Sequence, residues 1–498
     1  MSDPLCDLWL RGVAFNPAAP SGVLVRLLER AAGEVAPLMC KGRDLPDAVI
    51  EAAVRHPVRA IRSALAENRH LDPSRLVPLA TDPSGIVRYR LAGGPRPRPR
   101  RVRPLPESIL VTLLTAQDGG EDGVVTEHEI VQELMFSRQI PPSFYRSMTG
   151  HEHPGLRIRA ARKWQSLSPA HREALLDDPD PAVREAAQKG SRELDPEAVE
   201  AELQSIGSLS RPFVLGRCAL SPALVEQCFA DGTVDPLTWN PHTPADAVAR
   251  LARHPDARVR EMAAARPDLR PEVVAELIRD PDEGVRSRAR LHPFPRTWAE
   301  YGAIQRVRGH GPDCVCPIVE PDTEPSPEWF VSCATSGEPE LRRAAATWPG
   351  LPAVLIDALA RDDDEEVRIL LACHQPLAPP RLLLDVFITR PAHRPHLLTL
   401  PAFPRTGLAG LVSHPDPEVR ALAAADPALT APPVDDPDES VRRAAAANPG
   451  LSSQVLEALL TDPRTAEGAA ANPSLPVHRM HALLDRCPNG GGQPAHGT

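Results

Sequence analysis

The side chains best suited to chemistry in this 498-residue sequence are histidines, cysteines and arginines. His310, Cys314 and Cys316, with Cys333 further on, have the nitrogen and thiolate donors that zinc prefers, and an irregular loop would have to fold around the ion. The paired C-x2-C knuckles of most structural zinc sites are absent, which leaves buried or idle thiols as the competing reading. His151, Glu152 and His153 are adjacent, so strand or coil geometry splays them, and the helical H-E-x-x-H spacing is missing. There is no G-x-S-x-G elbow, no G-x-x-x-x-G-K phosphate loop and no dinucleotide fingerprint between a strand and a helix. The expectation is therefore no enzyme, no catalytic residue and no cofactor.

Arginine offers two further candidates. Arg62, Arg88, Arg184, Arg260, Arg286, Arg342, Arg368, Arg420 and Arg442 each follow an aliphatic residue at regular intervals, and stacked they would form a ladder able to grip phosphates or carboxylates. The competing reading is structural. Each pairs with an acid four residues earlier, as Arg184 with Asp180, or with that acid's counterpart in the next repeat. Arg96, Arg98, Arg100, Arg101 and Arg103 alternate with prolines and would form an extended cationic arm with little entropy left to lose. It suits nucleic acid, an acidic protein face or anionic lipid, but no aromatic residue interleaves to stack on bases, and a solvated loop is the alternative. The run Asp362 to Glu366 reads as an acidic solvated face at a helix start.

Composition narrows the classes. Lysine plus arginine number 56 and aspartate plus glutamate 66, a net charge of −10, the wrong sign for a chain that coats nucleic acid. Phe, Trp and Tyr number 9, 6 and 3, few for ligand pockets or interface anchors. The 59 prolines and 30 glycines rule out long helices, coiled coils and a large parallel sheet. No apolar run approaches the ~20 residues of a membrane span. Nine scattered cysteines, an odd number, behind a start without positive charge point to reduced thiols and a cytoplasmic location.

The elements that position these residues come from an internal repeat. The aliphatic–arginine pair falls at Ile61-Arg62 and Val87-Arg88, Ile158-Arg159 and Val183-Arg184, Val259-Arg260 and Val285-Arg286, then Leu341-Arg342, Val367-Arg368, Val419-Arg420 and Val441-Arg442, mostly 26 residues apart. His393-Arg394 fills the gap in that last run. Leucines keep the same beat at Leu45 and Leu71, Leu351 and Leu377, Leu451 and Leu475. Each repeat reads as two short helices. The first opens on an N-cap acid (Asp180, Asp256, Asp282, Asp364, Asp416, Asp438), and Asn68, Asn448 or Gly190 suits a left-handed C-cap. The second opens on a cap followed by proline, as in Asp72-Pro73, Ser168-Pro169, Asp195-Pro196 and Ser221-Pro222. Helices this short are marginal alone, so only stacking buries their apolar faces. The fold expected is an all-α, right-handed solenoid of about 18 two-helix repeats with a concave and a convex surface.

The blocks DPDPAVREAAQKGSRELDPEAVEAEL (178–203) and DPDESVRRAAAANPGLSSQVLEALL (436–460) resemble the leucine-rich repeat variant family of bacterial proteins and, more distantly, HEAT-type repeats. The resemblance covers roughly residues 5–487. It implies a scaffold fold and an alternation of α-helix with 3-10 helix. The iron–sulfur cluster that the best-known member carries on N-terminal cysteines does not carry over, since only Cys6 and Cys40 lie near the start.

The organisation expected is N-terminal repeats over 1–92, an Arg/Pro-rich insertion and degenerate repeat over 93–124, and central repeats over 125–308. A Cys-containing insertion over 309–325, C-terminal repeats over 326–488 and a disordered tail over 489–498 complete it. The functional expectation is a monomeric, non-enzymatic scaffold that binds a protein or peptide through the concave second-helix face and the arm. A HEAT-like nucleic-acid-binding protein or DNA glycosylase-like enzyme, and a metal-binding interaction module, are the alternatives.

Overall fold

The computed structural model describes residues 4–29, 34–96, 103–116, 125–137, 139–204, 207, 210–291, 297–308 and 325–487. Every regular element among them is a short helix, and no strand occurs. The local reasons are the capping residues. Asp180, Asp256, Asp282, Asp364, Asp416 and Asp438 each accept a backbone N–H at the start of a first helix. Asp72, Ser168, Asp195 and Ser221 do the same for second helices that begin with proline. The helix after Asp72, Pro73–Thr81, is a 3-10 helix between the α-helices Arg59–Ala66 and Gly85–Gly93, the alternation that the repeat type implies. Most other second helices are α, as in Pro271–Leu277 and Ser453–Leu459.

The chain forms two compact units, Pro142–Leu382 and, from the segments on either side, Met1–Pro141 with Leu383–Thr498. In the first of these, Ala257–Ala264 packs between Glu283–Arg290 and Asp235–Trp239, and Pro339–Ala346 packs on Glu365–His374. Val273, Leu277, Val285 and Ala289 form one of its sealed junctions.

In the other unit the stack follows an order unlike the sequence. First helices run Pro417–Ala424, Glu439–Ala446, Ala466–Ala470, then Pro4–Phe15, Val35–Gly42, Arg59–Ala66 and Gly85–Gly93. The second layer matches, with Val477–Arg486 against Ser21–Glu29, and Ser21–Glu29 against Asp47–Val54. The first repeat of the sequence is thus stacked as the successor of its last described repeat.

Small residues make the approach possible. A Cβ on Gly468 would lie 2.2 Å from the carbonyl oxygen of Arg443, and one on Gly12 would lie 2.2 Å from that of Glu467. Gly190 likewise meets the Ala161 carbonyl at 2.7 Å inside the Pro181–Ser191 helix, so close packing, and not a left-handed C-cap, explains this glycine.

The asparagines do something different from the capping expected of them. Buried Asn448 donates Nδ2 to the carbonyls of Ala424 and Asp426 in the preceding repeat, both at 2.8 Å, while its Oδ1 accepts the N–H of Gly450. Asn68, Asn240 and Asn472 repeat this at Cys40 and Arg43, Leu215 and Cys218, and Ala446 and Asn448. Asn16 donates to Ala470 and Asn472 at 3.0 and 2.7 Å, continuing the series from the last repeat into the first. Two carbonyls at each helix C-terminus, which would be buried orphans, are satisfied this way.

The asparagine also sets the leucine slot three residues on, as Asn448 does for Leu451. Gln375 holds that place in its own repeat and donates to the Trp348 carbonyl. The buried slot therefore falls on Ala378, and Leu377, expected in it, is 68% exposed.

Candidate functional site

The recurrent arginines are held at repeat junctions by a turn that opens on an aspartate, commonly Asp-Pro-Asp. In five rungs among the described residues the Nε/Nη2 edge of an arginine chelates the first acid of the following repeat's turn. Arg62 meets Asp82 at 2.7 and 3.1 Å, and Arg157 meets Asp178 at 2.7 and 2.9 Å. Arg260 meets Asp280 at 2.7 and 2.9 Å, Arg342 meets Asp362 at 2.6 and 2.9 Å, and Arg420 meets Asp436 at 3.0 Å twice. The acceptor's Oδ1 also takes the N–H two residues on, as in Asp280 to Asp282 at 2.9 Å, which fixes the turn before the helix starts. The remaining nitrogen, Nη1, grips the arginine's own turn. Arg260 donates to the carbonyls of His254 and Pro255, Arg286 to those of Asp280 and Pro281.

The cross-repeat pairing expected from the sequence is present, but the acid is two residues ahead of the N-cap. The N-cap aspartate spends its side chain on the helix start, while the residue before the proline has both oxygens available. Two neighbouring arginines do reach an N-cap acid of the next repeat. Arg343 pairs with Asp364 and Arg394 with Asp416, both at 2.6 Å. One register also shifts. The rung arginine of the Pro154–Ala161 helix is Arg157, next to buried Leu156, and not Arg159 of the Ile158-Arg159 pair. Arg184, Arg286, Arg368 and Arg442 grip the carbonyls of their own turns, and Arg88 adds Glu127 at 2.6 Å.

His151 and His153 belong to this same machinery. His151 Nδ1 accepts the N–H of His153, and His153 Nδ1 caps Gly155, so the two rings close a turn instead of converging on a reacting atom. His56, His254 and His414 hold the same turn position. At these turns a ring nitrogen takes the place of the aspartate oxygen as acceptor, and the turn's own arginine still grips the histidine carbonyl.

The arm is partly in view. Arg96 pairs with Glu133 at 2.6 Å and Arg103 donates to the Leu71 carbonyl at 3.3 Å, while Arg98, Arg100 and Arg101 lie outside the described residues. His310, Cys314 and Cys316 also lie outside them, and Cys333 is buried in the Pro327–Ala334 helix. Among the described residues no group of three or more His, Cys, Asp or Glu side chains is placed to hold a metal ion. Burial pushes the thiols of Cys40 and Cys218 up to about 12, the state of packed and unreactive cysteines. Cys6 and Cys487 depart from the expectation of reduced thiols, because they are joined in a disulfide. No helix among the described residues is long and apolar enough to cross a membrane.

One repeat carries these features, the arginine–aspartate rung excepted, without insertion. It runs from Val441-Arg442 through the Ala445-Ala446 contact and Asn448 to the Ser452 cap and buried Leu456. Residues 440–464 match the leucine rich repeat variant family. The variant repeat thus spans a first helix, the inter-repeat asparagine and a second helix, and the stacked all-helical architecture fits a HEAT-like solenoid. No curated protein matches the chain.

The arginine–aspartate rungs make acid stability predictable. Hydrogen bonds from Arg157, Arg260 and Arg420 hold the carboxyls of Asp178, Asp280 and Asp436 below the ordinary aspartate value, with burial opposing. At Asp362 burial is the largest influence and raises the value, but Arg342 and the Asp364 N–H together outweigh it. Groups whose pKa falls on folding contribute fully above the unfolded value of about 4, and that contribution is lost as the pH drops through the lower folded values. The aspartate contribution to the urea midpoint is therefore expected to be level from pH 7 to about 5 and to fall below about pH 4. Burial lowers the pKa values of His70 and His242, which adds a loss that begins below the ordinary histidine value. The triple variant Asp178→Asn, Asp280→Asn, Asp436→Asn should start lower at pH 7 and decline less steeply in acid.

Proposed function

We propose that the chain is a non-enzymatic repeat scaffold that holds a protein or peptide partner against its second-helix layer. The observation that supports this is an exposed aliphatic side chain on or just before the second helix of several repeats. Val331, Val354 and Leu377 follow at steps of 23 residues with exposures of 37%, 73% and 68%, and in the other compact unit Val455 and Val477 are likewise exposed. Singly such residues are ordinary, but their recurrence on a stacked layer gives a row of apolar contacts of the kind repeat proteins use. The ladder arginines are spent on internal rungs, which directs the binding role away from them and toward this layer. Arg98, Arg100 and Arg101 would add positive charge for an acidic partner.

A displayed peptide library selected on the wild-type chain tests the reading. Enriched peptides should bind with micromolar affinity and lose at least about tenfold on Val354→Asp/Leu377→Asp, whose melting temperature should stay within about 2 °C of wild type because both sites are exposed. Peptides that bind the double variant equally well would remove the second-helix layer from the function.

A further inference from the structure

The junction between the last described repeat and the first is unlike any other in its stack. Elsewhere neighbouring repeats are tethered by the short stretch of chain that links them, so a junction that opens is returned by a high local concentration. Here Trp9 Nε1 donates to the Leu460 carbonyl across 451 residues, Asn16 to Ala470 across 454, and Arg26 meets His481 at 2.6 Å across 455. The only covalent tie across this seam among the described residues is Cys6–Cys487, whose Cα atoms are 5.4 Å apart. Both cysteines are almost fully buried, at 4% and 3% exposure. A reductant therefore reaches the sulfurs once the seam has frayed, which couples reduction to opening.

We propose that Cys6–Cys487 is a redox-operated latch on this seam, converting it between a permanently closed and a reversibly opening junction. Opening the latch takes a dithiol. One thiolate attacks the Cys487 sulfur, breaking the Cys6–Cys487 bond and releasing the Cys6 thiolate, which takes up a proton. The second thiol of the reductant then displaces Cys487 as a thiol and closes the reductant's own disulfide, so two electrons and two protons pass to the protein. A low-molecular-weight disulfide such as oxidised glutathione reverses the exchange. Once reduced, the seam holds by helix packing and by noncovalent contacts such as those of Asn16, Trp9 and Arg26, and Pro4–Phe15 separates from Ala466–Ala470 by local opening.

The test uses the full chain, oxidised with glutathione disulfide and then treated with dithiothreitol. Peptide mapping of the oxidised protein should find the Cys6–Cys487 cross-link. After reduction, amide exchange in Pro4–Phe15 and Ala466–Ala470 should quicken about tenfold or more while Ala257–Ala264 is unchanged, and reoxidation should restore it. Asn16→Ala should speed reduction of the latch about tenfold by weakening the seam. Should that variant fold poorly, the wild-type comparison stands by itself. Free, alkylatable Cys6 and Cys487 after oxidation, or seam exchange that is the same in both redox states, would overturn the proposal.

Discussion

Asp280→Ala is expected to cost about 3 kcal/mol and to loosen two repeats at once. The carboxylate receives both nitrogens of the Arg260 fork and the N–H of Asp282. Removing it leaves a largely buried guanidinium without its counter-charge and the Glu283–Arg290 helix without its fixed turn, since the Asp280 side chain is 8% exposed and that of Arg260 14%. Asp280→Asn retains an oxygen for the Asp282 N–H and is expected to lose about half as much. Urea unfolding gives the total, and hydrogen exchange should place the loss in Ala257–Ala264 and Glu283–Arg290. Equal effects of alanine and asparagine would mean that the ion pair, and not the turn, holds the junction.

The other large effect is steric. Gly468→Val should destabilise the chain by about 3 kcal/mol, because its Cβ would sit 2.2 Å from the Arg443 carbonyl and 2.8 Å from the Ala446 Cβ, neither of which can rotate away. Gly22→Ala supplies the contrast. Nothing lies within 4 Å of that Cβ, and the residue is helical, so the change should be neutral or stabilise by up to about 1 kcal/mol. A melting temperature that rises for both would indicate that helix propensity, and not stacking distance, governs these positions.

Much of the fold was legible because each repeat signals its own helices. The aspartate and serine caps, the prolines after them and the aliphatic–arginine pairs are local features, and local features survive in a single sequence. What crosses from one repeat to the next was read less well. Asn448 has the residue type and position of a C-cap, and only the neighbouring helix reveals that its amide serves Ala424 and Asp426. The first aspartate of the Asp-Pro-Asp turn was passed over for the N-cap beside it, although its recurrence 16 to 21 residues after the rung arginine was a usable signal. The Ile158-Arg159 pair imitates the marker one turn step away from the true Leu156-Arg157. Nothing in the linear order announces that Pro4–Phe15 stacks on Ala466–Ala470, since each segment carries only a generic small-residue face. The site was harder still. Binding surfaces on a repeat array are made of the residues that the repeat leaves unconstrained, so periodicity is silent about them.

The seam also imposes a schedule on biosynthesis. At ribosomal speeds of about 5–20 residues per second, the segment that receives Asn16 emerges roughly 20–90 s after Asn16 itself. For that interval the small-residue flank of the Pro4–Phe15 helix has no native neighbour, and the nascent array must be shielded there or tolerate a sticky, half-built face until translation delivers its mate.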